Sequence, residues 1–202
     1  MTADRRLRIG GWAALVVAVI APIEVVLVYV VAGGRARPDS ALYSFIDASR
    51  LACLLVTVLG LDALFRPIAP RGARTVLLAG TIGSVIGLAT SLALLAGVQA
   101  AIAVAVGLLL ATGGLAVWFI GGGGILMSAG GAFVRIGWPA QLGGVGLVLA
   151  AILVAFAIQG PGGTTGPSLL NWFQLLSLFS VVYLVRIWFY VVRGRLPGPG
   201  IL

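Results

Sequence analysis

The chain has 202 residues, 61% of them apolar, and its net charge of +8 comes from 13 basic residues, all arginine, against 5 acids and no histidine. Such a composition excludes an ordinary soluble domain. The lack of histidine excludes a His-ligated haem, a histidine metal site and a histidine general base. With Cys53 as the lone cysteine, neither an internal disulfide nor a cysteine zinc cluster can form.

Six apolar runs each reach the roughly 20 residues that cross a bilayer. Only helices and closed barrels satisfy the backbone in hydrocarbon. The runs lack the polar–apolar alternation of barrel strands, so helices are expected. The expected fold is all-α: one transmembrane domain over residues 1–202, a polytopic bundle of about six helices in three in–out–in hairpins, with both termini cytoplasmic.

The first span covers residues 9–31 and follows Arg5, Arg6 and Arg8. The stretch is too long for a signal-peptide core and contains Glu24, so an uncleaved helix is expected. Glu24 lies about 15 residues beyond Ile9, hence ~22 Å from the inner side. That depth is in the outer half of the bilayer, where Pro22 also frees a backbone carbonyl. The second span covers 45–65. Ser44 and Asp47, with Arg50 close by, resemble a capping box at its outer start. Cys53 reads as an inert, small core residue. Near the inner end Asp62 and Arg66 are four apart and share a helix face, just before Pro67.

The third span, 75–96, brings Thr90 and Ser91 to the depth of Glu24. The fourth covers 100–120. Residues 121–134, with four consecutive glycines, are too apolar for a solvated loop and too short for another crossing. They either lie in the interface or extend the fourth helix. No Gly-Lys-Ser/Thr follows, so this is not a phosphate loop. The fifth span covers 136–158, and residues 160–167 read as a flexible connector. The sixth, 169–192, carries Asn171, Gln174 and Ser177 toward the outer side. Arg186 sits about seven residues before Arg193, so ~10 Å from the inner interface.

Arginine counting orients the chain. Arg5, Arg6, Arg8, Arg66, Arg71, Arg74, Arg135, Arg193 and Arg195 fall on one side, and Arg35, Arg37 and Arg50 on the other. The richer side is expected to be cytoplasmic. Trp12, Trp118, Trp138 and Trp188 read as anchors at that inner interface and Trp172 at the outer one. Arg8-Ile9-Gly10-Gly11-Trp12 parallels Arg135-Ile136-Gly137-Trp138, and both hairpins end in Arg and Pro. This is a hint of internal duplication, or simply what inner interfaces favour. Small residues recur every four positions: Gly10, Ala14 and Ala18; Gly83, Gly87 and Ser91; Ala103, Gly107 and Ala111; Ala140 and Gly144. Such stripes pack helices within a chain or dock a partner subunit.

Charges inside the membrane define two candidate sites. Glu24, Thr90, Ser91, Asn171 and Gln174 are candidates for a ligand-binding pocket in the outer leaflet; the plainer reading makes Glu24 a neutral acid bonded to a neighbouring helix. Asp62 is expected to pair with Arg186, or to form a cluster with Arg66 and Arg186 that ties helix two to helix six. The plainer reading lets Arg186 snorkel to the headgroups.

Leu64-Phe65-Arg66-Pro67-Ile68-Ala69-Pro70, Gly137-Trp138-Pro139 and the Ile187-Trp188 end with its basic tail carry a resemblance. The chain resembles a bacterial family of small six-helix membrane proteins known only as a domain of unknown function. The resemblance implies a bacterial inner membrane and six helices, and lends no catalytic residue. That family tends to carry an Arg or Glu in helix three, where this chain has Gly80-Thr81-Ile82-Gly83-Ser84.

The expected function is that of a non-catalytic accessory or scaffold subunit of a larger membrane complex, with lipids and other membrane subunits as partners. The alternative is small-solute transport or substrate capture, since a Gly/Ala-rich six-helix chain also looks like the substrate-binding subunits of vitamin transporters. No residue pattern points to a catalytic group, a cofactor or a metal. The arginines sit at helix ends, not in a soluble patch, so nucleic acid is not an expected partner.

Overall fold

The computed structural model describes residues 2–27, 41–98, 101–159 and 178–193. The expectations placed on Arg35, Arg37, Asn171, Trp172, Gln174, Ser177, Arg195 and the 160–167 connector lie outside the described residues. Those described form six helices: α1 Ala3–Val26, α2 Ala41–Phe65, α3 Pro70–Leu95, α4 Ala101–Ser128, α5 Ala132–Gln159 and α6 Phe179–Val192. Five contain stretches long and apolar enough to cross a membrane, and the described part of α6 is a shorter apolar helix. The chain is an α-helical multi-pass bundle.

Local chemistry fixes the helix ends. Thr2 caps α1, its hydroxyl accepting from the Arg5 N–H at 3.4 Å, and Asp4 lies in the first turn near the positive end of the helix dipole. Pro70 opens α3 at a position where a missing N–H costs nothing. Helix α2 begins at Ala41, four residues before the expected start. Ser44 and Asp47 therefore stand inside the helix and are buried, which rules out their reading as a capping box.

The glycine quartet extends α4 to Ser128, so the second of the two readings for 121–134 holds. A short turn follows, with Gly130 at φ 75° and Gly131 at φ 53°, a left-handed pair that side-chain-bearing residues rarely adopt. Helix α5 then starts at Ala132.

Each helix packs antiparallel on its neighbour in sequence, and α6 returns to pack on α1, so the helices form a closed ring. Large side chains fill the middle. Trp118 and Phe119 of α4 meet Tyr183 of α6, with ring centroids 6.0 and 5.8 Å apart. Phe65, Leu61 and Leu126 are fully buried in the same core. Trp118 thus fills the core and is only 1% exposed, contrary to its expected role as an interfacial anchor. Trp12 keeps an exposed face and stacks edge-on with Trp188 at 5.8 Å.

Glycine sets the helix spacing. A Cβ on Gly60 would lie 2.6 Å from Gly10 Cα, one on Gly114 2.8 Å from Gly83 Cα, and one on Gly123 2.6 Å from the Gly137 carbonyl oxygen. These contacts lock α1 to α2, α3 to α4, and α4 to α5. Without a hydrophobic drive between helices in lipid, such close backbone approach is what holds a bundle. Gly10, Ala14, Ala18, Gly83, Gly87, Ser91, Ala111, Ala140 and Gly144 are all buried, so most of the small-residue stripes serve packing within the chain. Ala103 is exposed.

Candidate functional site: an intramembrane charge network

Three helices bring charged and polar groups together at the end of the bundle away from the N-terminus. Glu24 lies in the last turn of α1, Asp47 and Arg50 lie two to three turns into α2, and Ser91 lies near the end of α3. Because α2 runs antiparallel to both neighbours, these positions share one level. Arg50 occupies the centre. Its Nε meets Glu24 Oε2 at 2.7 Å and its Nη2 donates to Asp47 Oδ1 at 2.6 Å. Ser91 donates its hydroxyl to Asp47 Oδ2 in a short hydrogen bond. Glu24, Asp47 and Ser91 are buried, and 24% of the Arg50 side chain is open.

A guanidinium suits this position. It is planar, always charged, and presents donors in several directions at once, so one residue can serve carboxylates from two helices. Removing charges from water is costly, and hydrocarbon offers no alternative partner, so each group here depends on the others.

This arrangement revises the expected pocket. Glu24 and Ser91 do belong to one polar cluster, but Asp47 and Arg50 link them. Glu24 reaches the neighbouring helix through Arg50 Nε. Thr90 donates its hydroxyl to the Ile86 carbonyl of its own helix at 2.8 Å. Asn171 and Gln174 lie outside the described residues. Arg50 and Asp47 were hidden by a helix boundary placed four residues late. Measured from Ala41, Arg50 is nine residues deep, or ~14 Å. An arginine at that depth, three residues after an aspartate, was the available signal.

The second expected cluster divides into two. Asp62 pairs with Arg66 along α2, Oδ2 to Nε at 2.6 Å. Arg186 is instead committed to α5: it donates through Nη1 to the Arg135 carbonyl and lies 5.7 Å from the centre of the Trp138 ring. The reason is in the sequence. Pro139 stands four residues after Arg135 and has no N–H, so the Arg135 carbonyl lacks its helical donor. Arg186 supplies one, and the expected tie from helix two to helix six becomes a tie from α5 to α6.

No protein-family model, curated protein or solved structure matches the chain. Its class therefore rests on its own features: a multi-pass helical membrane protein in which ion pairs between α1 and α2 are joined to α3 by the Ser91 hydroxyl.

Proposed function

We propose that the protein is a non-catalytic accessory or scaffold subunit of a larger membrane complex. One observation carries this reading: the intramembrane charges are engaged within the bundle while a helical glycine, Gly113, faces outward. Glu24 and Asp47 are held by Arg50, and Arg186 by the Arg135 carbonyl. On α4 a Cβ on Gly113 would meet nothing within 4 Å, and exposed Val106, Leu110 and Val117 flank it on the same face. A glycine open to the membrane allows a partner helix to approach its backbone closely. The resemblance to the bacterial six-helix family supports a bacterial inner membrane, and the arginine-rich end supports cytoplasmic termini.

Purification in mild detergent tests the proposal. The native chain should carry a stoichiometric membrane partner that Gly113→Leu loses while the variant stays folded. Repeated isolation of both as lone monomers would count against a subunit role.

A further inference from the structure

At the other end of the bundle, where α1 begins and α2 ends, the outward face of α2 holds an open cleft of about 430 Å³. Arg6, Asp62 and Arg66 line it, and Ile9, Leu59 and Leu77 supply apolar wall. An adjoining hollow of about 340 Å³ shares Arg6, Leu59, Asp62 and Arg66.

The polar groups are incompletely matched. Arg66 Nε takes Asp62 Oδ2, but Asp62 Oδ1 is buried and has no hydrogen-bond partner among the described residues. Arg6 is exposed, and its side chain makes no ion pair or hydrogen bond among the described residues. By contrast, the neighbouring Arg8 is paired with Asp4 at 3.3 Å. Two arginines and one aspartate leave the cleft one positive charge in excess, with an acceptor oxygen that needs a donor. The apolar wall reaches Val56, ten residues above Arg66 on α2. That is ~15 Å of helix, the depth of one hydrocarbon leaflet.

We propose that this cleft binds one anionic phospholipid whose head group combines a phosphodiester with a free hydroxyl, as in phosphatidylglycerol. The phosphodiester sits between Arg6 and Arg66 and neutralises the excess charge. The head-group hydroxyl donates to Asp62 Oδ1. An acyl chain lies along Ile9, Leu59, Leu77 and Val56.

Native mass spectrometry of the full chain in detergent, titrated with defined lipids, tests this. One phosphatidylglycerol should be retained on the order of tenfold better than phosphatidylcholine. Arg6→Gln/Arg66→Gln should remove that preference, whereas Arg71→Gln/Arg74→Gln, at the same end but outside the cleft, should keep it. Equal loss in both variants would reduce the effect to general surface charge and overturn the site. Phosphatidylmethanol, anionic but without the hydroxyl, should bind several-fold more weakly than phosphatidylglycerol, and Asp62→Ala should erase that difference. No difference in the native chain overturns the assignment of the hydroxyl. Glycerol 3-phosphate should not compete; effective competition would identify a soluble phosphate ligand and overturn the lipid. If the double arginine variant fails to fold, Arg6→Gln alone carries the test, since the Arg6 side chain holds no partner among the described residues.

Discussion

Arg50 is the residue on which the end of the bundle away from the N-terminus depends. Replacing it by Gln takes from buried Glu24 and Asp47 the guanidinium they share. Breaking a buried pair from one side is strongly destabilising. The expected loss for Arg50→Gln is about 3 kcal/mol, at the lower end for such pairs because the side chain is 24% open. Thermal or denaturant unfolding in detergent measures it. A double-mutant cycle with Glu24→Gln should show coupling of about 1–2 kcal/mol. Strict additivity would mean that the two side chains do not share the network. Arg66→Ala should cost only about 0.5 kcal/mol, because 61% of that side chain is exposed and its partner is on the same helix.

Between helices, the decisive contacts are backbone on backbone. A methyl group at Gly60 would meet Gly10 Cα at 2.6 Å and the Arg6 carbonyl oxygen at 2.9 Å, neither of which can swing aside. Gly60→Ala should therefore destabilise by about 1–3 kcal/mol. Gly113→Ala has open space around it and should lose nothing. A similar fall in melting temperature for both would show that helix spacing is not set by these glycines. The α5–α6 tie makes a sharper forecast. Pro139→Ala restores an N–H for the Arg135 carbonyl, so Arg186→Ala should cost less in that background than in the native chain. Equal costs in the two backgrounds would separate Arg186 from the proline defect. Helix existence and the small-residue stripes were legible in the sequence, because length, hydropathy and spacing are local properties. Helix ends were less so: the starts of α2 and α3 came four to five residues early, as apolar flanks let a helix run past the hydrocarbon edge.

For the whole molecule, antiparallel alternation places Arg5, Arg6 and Arg8, the α2–α3 turn with Arg66, Arg71 and Arg74, Arg135 and Arg193 at one end. If that end is cytoplasmic, a single cysteine introduced by Ser128→Cys in a Cys53→Ala background should react only from the cytoplasmic side. One introduced by Val98→Cys should react only from the opposite side. Reversed labelling would invert the orientation.

The sequence by itself determined the class and the levels. Apolar runs of spanning length require helices in lipid, and counting 1.5 Å per residue put Glu24 level with Ser91, as the structure has them. Depth, however, says nothing about azimuth. Which groups at one level meet is settled by the order of helices around the ring and the rotation of each about its axis. The order α1-α2-α3 gave Glu24 to Arg50. The proline defect at Arg135 drew Arg186 toward α5 and left Asp62 with Arg66. Partners of intramembrane charges are therefore a property of the tertiary structure, because each charge takes the nearest group that can complete its bonds, and packing decides which is near.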